Sequence, residues 1–346
     1  MSIINKKLVF LRTSISWFGL HSGYEQITRH FANNINTCII SPLPKFSARI
    51  KGKAISIWRG YGNAPQTNIE ALWRFEKEIL RDPESVGHIL YGEDFLRFAP
   101  RMAKEVMERT VFTFHQPPSQ WKPESLLLLK FVKNAVFLYK KDINFFSKYL
   151  NTIPNCILYG VDTDYFSPSV QGAQLRILYS GVHLRNLNML LEVVNRLNNI
   201  YPNLAFDFLV PTSHRTKPEF QILNNLKNVI WHAGLSDEKL RLLYQDSYLL
   251  LLPMNDSGAN TAITEALASG LPIVTTDVGG VRDYGGGNIF PIIENNDVQG
   301  MVDLINKYIC DRNYRDKMAE LSRDFATSNI SWSDIANQHL KFYNSI

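Results

Sequence analysis

A run of small and polar residues with one glutamate directly follows the apolar segment "SYLLLLPM". Asn260 is a good N-cap, and the pattern predicts a helix from about Thr261 to Ser269 that Gly270 terminates. The free N–H groups and the dipole of such a helix start favour an anion. Glu265 lies one turn further along the same face, where its carboxylate could accept hydrogen bonds from two vicinal hydroxyls. The pattern therefore suits a nucleotide, with its diphosphate at the helix start and its ribose against Glu265.

A structural alternative for Glu265 is an ordinary helix glutamate that pairs with a nearby lysine or arginine. For an isolated glutamate this alternative would be preferred, but the polar bend before the helix favours ligand binding. The residues of the bend and helix start that we expect at the ligand are Asp256, Ser257, Gly258, Asn260 and Thr261.

Short apolar runs alternate with helical patterns along the 346 residues, a length that suits two hydrophobic cores. The runs, which include "HILYG", "AISIW" and "SYLLLLP", lack strict alternation, as expected of strands buried on both faces. About thirteen such runs are too many for one parallel sheet. We therefore predict an α/β fold of two doubly wound domains with a seam in the polar segment 160–174. Ligands bind such sheets at the carboxyl ends of the strands, here in a cleft between the domains.

The stretch 255–280 resembles the signature of family-four retaining glycosyltransferases of the GT-B fold, in which Glu-x7-Glu precedes a small-residue helix, Gly-x-Pro and "DVGG". "ILYGVDTDYFSP" is similar to the interdomain linker of that family, and "HAGLSDEKLRLLYQDSYLLLLP" to the element before the signature. "HSGYEQITRHFANNI" resembles the N-terminal glycine loop and first helix, and "SWSDIANQHLKFY" the terminal helix. The likeness covers most of the second half of the chain and patches of the first.

The resemblance implies two Rossmann-like domains that face a central cleft. The acceptor side would lie in 1–163 and the nucleotide-sugar donor side in 164–328, with a helix in 329–346 that crosses back to the N-terminal domain. It also implies transfer of a hexose-type sugar from a UDP- or GDP-linked donor to a glycan, lipid-linked or other hydroxyl acceptor. No further cofactor and no metal is expected.

Carried over residue by residue, Glu265 matches the second Glu of the signature, which holds the donor ribose. Ser257 stands where the family has its first Glu, beside the donor sugar, and Asp256 lies one place before it. Either a one-residue bulge lets Asp256 serve, or this carboxylate is missing. The stretch D-S-G-A-N looks like a family variant with a longer bend, which favours Asp256. An Asx-turn that only shapes the loop is an equally weighted alternative for Asp256.

Arg185 in "ILYSGVHLRNLNML" is the candidate cation for the donor diphosphate, because the family supplies basic residues there and a guanidinium fork suits phosphate oxygens. Val182 replaces the arginine that usually follows the glycine, and His183 could donate a bond instead. A solvated arginine at a helix start is the alternative, but a cation there opposes the helix dipole, which favours a functional role. Gly23 falls where the family's first-domain loop approaches the phosphates.

His115 in "VFTFHQPPSQW" follows a strand, and in the family a histidine at this place lies near the donor sugar. It could bond a sugar hydroxyl or the phosphate; a loop histidine bonded to backbone is the alternative. Glu93 and Asp94 in "LYGEDF" follow another strand and are weaker candidates for acceptor contacts. Asp283 in "GGVRDY" lies where the family often has a Glu on the nucleotide side of the cleft.

Composition sets the expected location and partners. The net charge of +5 is a mild bias compatible with an anionic ligand or a membrane surface, and nothing indicates nucleic-acid binding. Residues 122–150 mix lysines with large apolar side chains, which could form a membrane-facing patch; a helix, a buried strand and a helix with solvated lysines is the favoured interpretation. Three scattered cysteines indicate a reducing compartment. We expect a cytoplasmic protein, with peripheral contact at the inner face of the membrane left open.

Other chemistries lack their motifs: the sequence has no G-x-x-x-x-G-K-[ST] loop, H-E-x-x-H, CxxC or G-x-S-x-G. The resemblance implies retention of anomeric configuration, with Arg185 and the helix start stabilising the leaving diphosphate and with Asp256 and His115 orienting the sugar. Surface polysaccharide or glycoconjugate synthesis is the expected role. Two alternatives stay open: another GT-B enzyme such as a sugar-nucleotide epimerase, and a non-catalytic nucleotide-sugar-binding partner of a transferase, which Ser257 motivates.

Overall fold

The computed structural model describes residues 6–13, 19–31, 33, 35–169 and 175–346, and the chain forms two compact units. Among the described residues, the first unit holds 6–13, those of 23–158, and 333–346, whereas the second holds 19–22 and those of 159–332. The second unit begins shortly before the sequence-based boundary at 164. The assignment of 19–22 to the second unit has no counterpart in the sequence analysis.

The first unit is built on a six-stranded parallel sheet with the order β2-β1-β3-β4-β5-β6. Its strands are β1 (Leu8–Leu11), β2 (Thr37–Ile40), β3 (Val86–Ile89), β4 (Thr110–Phe114), β5 (Asn134–Phe137) and β6 (Asn155–Cys156). Its helices are α1 (Phe46–Arg59), α2 (Gln66–Arg81), α3 (Gly92–Phe95), α4 (Lys104–Glu108), α5 (Pro123–Leu126) and α6 (Ile143–Phe146), with short 3-10 helices at Tyr24–Arg29, Leu96–Arg101, Pro118–Gln120 and Leu129–Phe131. Strand order reverses between β1 and β3, so the loops that follow β1 and β3 lie at a switch point.

The second unit repeats this plan with the sheet order β12-β11-β10-β7-β8-β9, again all parallel. Its strands are β7 (Arg176–Ser180), β8 (Ala205–Leu209), β9 (Val229–His232), β10 (Leu249–Leu252), β11 (Ile273–Thr276) and β12 (Ile292–Ile293). Its helices are α7 (Leu187–Ile200), α8 (Pro218–Leu223), α9 (Asp237–Asp246), α10 (Thr261–Ala268), α11 (Val298–Cys310) and α12 (Arg312–Asn329), with short 3-10 helices at Thr212–His214 and Gly279–Tyr284. The switch point lies between β7 and β10, beside the two loops that carry most of the predicted site.

The inner strands are buried because their side chains meet a helix layer on one face or the other, whereas the edge strands β2 and β9 are partly exposed. β1, β3, β4, β10 and β11 are buried throughout. The last helix, α13 (Trp332–Tyr343), carries the chain back into the first unit. There the His339 ring lies 2.9 Å from the Tyr24 hydroxyl, and the Tyr343 hydroxyl lies 2.5 Å from Nδ1 of His88.

One strand prediction is wrong. The segment "AISIW" at 54–58 belongs to helix α1, and the described residues contain twelve strands rather than thirteen. The β-branched isoleucines suggest a strand locally, but the helix ends in a glycine cap: Gly60 has a φ of 65° and its N–H donates to the carbonyl of Ser56. Residues 122–150 form short helices around the buried strand β5, in agreement with the favoured interpretation of that segment.

Candidate functional site

The bend after β10 and the helix that follows it form as predicted. The side chain of Asn260 caps α10 by accepting the N–H of Ala262 at 3.1 Å. The helix ends at Ala268, and Gly270 follows with a φ of 60°, its N–H donating to the carbonyl of Leu267 at 3.1 Å. A capped helix start therefore lies at the carboxyl end of a central strand, where its free N–H groups suit an anion.

Asp256 and Ser257 differ in how they are held. Ser257 is buried, its hydroxyl donates to the carbonyl of Gly258 at 3.0 Å, and its own carbonyl accepts the N–H of Gly280 at 2.8 Å. Gly279 has a φ of 50°, and a Cβ there would lie 1.8 Å from the Ser257 carbonyl oxygen, which explains the first glycine of "DVGG". Asp256 is half-buried, and its Oδ1 accepts the N–H of Ser257 at 2.8 Å. Asp256 thus shapes the bend and is also the more exposed member of the pair.

Glu265 is a buried carboxylate without a basic partner among the described residues. Only 5% of the residue is exposed, and its Oε1 accepts a hydrogen bond from the hydroxyl of Ser22 at 2.6 Å. Burial raises the pKa of Glu265 to about 7, against the opposing effects of the Ser22 and Tyr244 hydroxyls. The ion-pair alternative is therefore excluded within the described structure, and this carboxylate accepts a hydrogen bond from the Ser22 hydroxyl.

The segment 19–22, which supplies Ser22, is held against the second unit by further hydrogen bonds. The N–H of Leu20 donates to Asp237 at 2.7 Å, and the His21 ring nitrogen Nδ1 lies 2.6 Å from Asp162 Oδ2. Sequence reasoning missed this segment as a partner of Glu265. The available signal was the serine next to the glycine of "HSGY", a polar residue beside a predicted phosphate loop.

Arg185 lies in a tightly folded loop that follows β7. Its Nε and Nη2 donate to the carbonyl of Ser180 at 3.1 and 3.0 Å, and its Nη1 donates to the carbonyl of His183 at 2.9 Å. Gly181, with a φ of 82°, and Leu184, with a φ of 57°, allow the loop to turn back on itself. No carboxylate pairs with Arg185 in the described part of the chain, and burial lowers its pKa. Its positive charge is therefore held by carbonyl dipoles and has no fixed counter-charge.

The structure brings Arg185 to the start of α10. The loops after β7 and β10 are joined by hydrogen bonds, including that from the N–H of Asn255 to the carbonyl of Leu184 at 2.9 Å. The sulfur of Met254 lies 3.3 Å from Nη1 of Arg185 and 3.2 Å from Nδ2 of Asn260. The candidate cation and the helix cap thus contact the same side chain.

His183 and Asp283 lie at the edges of this arrangement. His183 is exposed as a residue, but partial desolvation of its ring and the positive charge of Arg185 lower its pKa. Asp283 is half-buried on the 3-10 helix Gly279–Tyr284, directly after the glycines that contact Ser257.

His115 lies in the first unit, in the loop that follows β4, as predicted. Its Nε2 lies 2.7 Å from the carbonyl oxygen of Leu90 and therefore donates the proton, which leaves Nδ1 as the acceptor. The ring stacks on Tyr91 with 4.6 Å between centroids. Burial lowers the pKa of His115 to about 4, so the ring is neutral near pH 7. Both the backbone-bonded interpretation and a free acceptor nitrogen are compatible with this geometry.

Glu93 ties two loops of the first unit together. Its Oε1 accepts the N–H groups of His115 at 2.5 Å and Gln116 at 2.9 Å. Desolvation outweighs these bonds and raises the pKa of Glu93 to about 7. Asp94 is exposed and accepts the hydroxyl of Thr13 at 2.6 Å. The geometry gives Glu93 a role in positioning His115, whereas an acceptor contact stays a prediction for both carboxylates.

Gly23 precedes the 3-10 helix Tyr24–Arg29 with a φ of 96°, a conformation that favours glycine. It belongs to the first unit together with His115, Glu93 and Asp94, and the other predicted site residues belong to the second. Within the described ranges, no three His, Cys, Asp or Glu side chains are grouped so as to hold a metal ion.

Comparison with known proteins identifies the second unit. Residues 166–325 match the family model for Glycosyl transferases group 1. The second unit carries a group 1 glycosyltransferase domain. The match contains Arg185, the bend at 255–260 and α10, whereas the predicted site residues of the first unit lie outside it. The narrower assignment to the retaining family four stays a prediction.

Solved structures resemble the whole chain. Anabaena HepE, crystallised with UDP and glucose, has a TM-score of 0.74 at 13% identity and covers 99% of this chain and 100% of its own. Sucrose-phosphate synthase from Thermosynechococcus elongatus has a TM-score of 0.73 at 12% identity, with 99% of each chain covered. Likeness at this identity concerns the fold, and it confirms the predicted α/β fold of GT-B type with two Rossmann-like units.

Curated relatives match over shorter stretches. The MMP alpha-(1->4)-mannosyltransferase of Mycolicibacterium hassiacum is 25% identical over 191 residues, which is 53% of this chain and 46% of that protein. A D-inositol 3-phosphate glycosyltransferase of Corynebacterium urealyticum is 27% identical over 110 residues, 32% of this chain and 26% of that protein. The match thus spans less than half the length of these relatives.

Proposed function

We propose that this protein is a retaining glycosyltransferase that moves a hexose-type sugar from a UDP- or GDP-linked donor to a hydroxyl acceptor. The observation that carries the proposal is Glu265, a buried carboxylate without a basic partner in the described structure, one turn inside a capped helix start. Burying such a carboxylate costs free energy, so the carboxylate needs hydrogen-bond donors such as hydroxyl groups. The vicinal hydroxyls of a ribose are donors of this kind, and the Ser22 hydroxyl supplies one in their place.

The donor diphosphate would lie between Arg185 and the start of α10. Arg185 has no fixed counter-charge among the described residues, and the cap of α10 contacts the same methionine sulfur as its guanidinium. A nucleoside diphosphate that leaves the sugar accumulates negative charge on its oxygens. Preorganised donors that meet this charge lower the barrier because they need no reorganisation during the reaction. These groups could serve without a metal ion, and metal independence is part of the proposal.

The sugar would be oriented by Asp256, which is more exposed than the buried Ser257. His115 is proposed to accept a substrate hydroxyl at Nδ1. A general base works best with a pKa near the working pH, and burial holds the pKa of His115 at about 4. This low value supports a same-face mechanism, in which the departing phosphate oxygen takes the acceptor proton and no side chain need do so.

The relatives support a nucleotide-sugar donor. HepE was crystallised with UDP and glucose, and curated relatives are named as a mannosyltransferase and an N-acetylglucosaminyltransferase. From the family resemblance of the sequence we also propose a glycan, lipid-linked or other hydroxyl acceptor, a role in surface polysaccharide or glycoconjugate synthesis, and a cytoplasmic location with peripheral membrane contact. The structure has no helix with the length and apolarity to cross a membrane among its described residues.

The test is a panel of UDP- and GDP-sugars with and without oligosaccharide and lipid-linked acceptors. Nucleotide release that depends on the acceptor, survives EDTA and gives a product with the donor's anomeric configuration by proton NMR supports the proposal. An inverted product would refute retention and would assign His115 the role of general base. Loss of transfer in EDTA with recovery in magnesium would refute metal independence.

A non-catalytic donor-binding protein is the second candidate, because Ser257 replaces the usual first Glu and its hydroxyl is buried on Gly258. Tight binding of a nucleotide sugar without acceptor-dependent turnover across the whole panel would favour this candidate. Turnover that Asp256→Ala abolishes would exclude it.

A further inference from the structure

Helix α1 of the first unit exposes its large apolar side chains and buries its small ones. Ala48 and Gly52 are its two buried residues. The exposed fractions of the large side chains are 78% for Phe46, 75% for Ile57, 73% for Trp58 and 55% for Ile50. An amphipathic surface helix ordinarily turns such side chains toward the core. Helix α1 has the opposite arrangement.

The packing of α1 on α2 enforces this orientation. At Gly52 a Cβ would lie 1.8 Å from the carbonyl oxygen of Gln66, so the two helices approach closely only with glycine at the contact. At 100° per residue, Phe46, Ile50 and Ile57 fall on one face of the helix, opposite Ala48 and Gly52. The outward apolar face is therefore a fixed feature of the packed first unit.

Basic residues surround this face without acidic ones. Lys45, Arg49, Lys51 and Lys53 are exposed, and none forms an ion pair with a described residue. No Asp or Glu occurs in the sequence between Glu25 and Glu70. Arg59, at the end of the helix, differs because it forms an ion pair with Glu76 of α2. Four unpaired cations beside an apolar face are complementary to a partner surface that has anionic groups on the outside and apolar groups beneath them.

We propose that α1, with Lys45 in front of it, docks on an anionic lipid membrane and lies in the interface with Phe46, Ile50 and Ile57 inserted. Lysine and arginine stems can extend along apolar groups while their charges reach the headgroups, and Trp58 suits the interfacial zone. Nucleic acid would leave the apolar face uncovered. This inference assigns a surface to the peripheral contact proposed above, and it excludes the 122–150 segment as that surface.

Vesicle co-sedimentation of the full chain tests the assignment. We expect binding to phosphatidylcholine vesicles that contain phosphatidylglycerol, little binding to phosphatidylcholine alone, and loss of binding at high salt. Replacing Lys45, Arg49, Lys51 and Lys53 together by Gln should weaken partitioning at least about 100-fold. Phe46→Ser with Ile57→Ser should weaken it at least about tenfold. Because these side chains are exposed, circular dichroism and thermal melting should match the wild type.

The matched control replaces four exposed lysines of the same unit by Gln: Lys122, Lys130, Lys133 and Lys148. This variant has the same net charge as the α1 variant and should bind vesicles like the wild type. A blue shift of tryptophan emission on anionic vesicles should disappear in Trp58→Phe. Equal losses in the two lysine variants, or binding that survives both α1 variants, would overturn the assignment. So would a dimer in light scattering that the α1 variants dissociate, because a second copy would then cover the face.

Failure of the membrane assignment and failure of the transferase proposal are distinguishable. Transfer to a water-soluble acceptor should be unchanged in the α1 variants, since α1 carries none of the proposed donor-site residues. Vesicle binding without transfer would support the docking surface and refute the transferase proposal. Transfer without vesicle binding would support the transferase proposal and refute the docking surface.

Discussion

The hydroxyl of Ser22 donates a 2.6 Å hydrogen bond to Glu265, and the two residues lie 243 positions apart in the chain. The carboxylate that we propose for the donor ribose is therefore paired with a protein hydroxyl in this structure. A ribose that binds Glu265 replaces or shares this partner, which makes Ser22 a competitor of the nucleotide.

Ser22→Ala should tighten nucleotide binding by about tenfold, because the variant leaves Glu265 without the competing hydroxyl. Isothermal titration with the nucleoside diphosphate measures the change, and Ser125→Ala, on α5 of the first unit, is a control. Weaker binding in Ser22→Ala would show that Ser22 supports the bound state and does not compete with the ribose.

Glu265→Gln should weaken binding of the nucleoside, the nucleotide and the full donor alike. A lost hydrogen bond to a charged group costs about 1–3 kcal/mol, which corresponds to about 5- to 150-fold in affinity. A thermal-shift series with all three ligands gives a first measurement and titration confirms it. Unchanged affinity in the folded variant would remove Glu265 from the ribose site.

Arg185→Ala should reduce affinity for diphosphate ligands by at least about tenfold and leave nucleoside binding nearly unchanged, because the guanidinium would meet phosphate and not ribose. Arg215 offers a matched control: it also follows a strand of the second unit and donates to carbonyls, those of Val210 and His232. Arg215→Ala should spare both ligands. If Arg185→Ala lowers nucleoside and diphosphate binding equally, its role is to support the loop.

Asp256→Ala should lower the turnover number by at least about 100-fold with a small effect on nucleotide affinity, because it would touch the sugar. Ser257→Ala should cost about 1 kcal/mol of folding stability through the lost bond to Gly258 and change turnover little. Steady-state kinetics with denaturant unfolding separates the two effects. A larger loss of turnover in Ser257→Ala would place Ser257 at the carboxylate position.

The raised pKa of Glu265 predicts a stability change with pH. Its pKa is about 7 in the folded protein against 4.5 for an unperturbed glutamate, so the folded state binds more protons between these values. The favourable contribution of protonated Glu265 is present below about 4.5 and is lost as the pH rises to about 7, at an upper limit of roughly 3 kcal/mol. Denaturant unfolding of the wild type and Glu265→Gln from pH 4.5 to 8 measures the difference. A constant difference across this range would contradict the raised value.

Local patterns in the sequence were sufficient to predict the core of the proposed donor site. The cap at Asn260, the helix Thr261–Ala268 and the left-handed Gly270 follow from contacts within a few residues, which propensity and capping rules describe. The two parallel sheets follow from apolar runs in which apolar and polar residues do not alternate, as expected of strands that are buried on both faces. The sequence therefore determined the fold class and the position of Glu265 behind a helix start.

Long-range packing decided the contacts between distant segments, which propensity and capping rules do not describe. The bond between Ser22 and Glu265, the contact of Arg185 with Met254, and the burial of Ser257 each depend on segments that meet only when the unit folds. The segment "AISIW" reads as a strand, yet Gly52 against the backbone of Gln66 fixes it as a helix with its apolar residues outward. Side-chain periodicity indicates which residues share a face, whereas which face is buried depends on the neighbour that packs there.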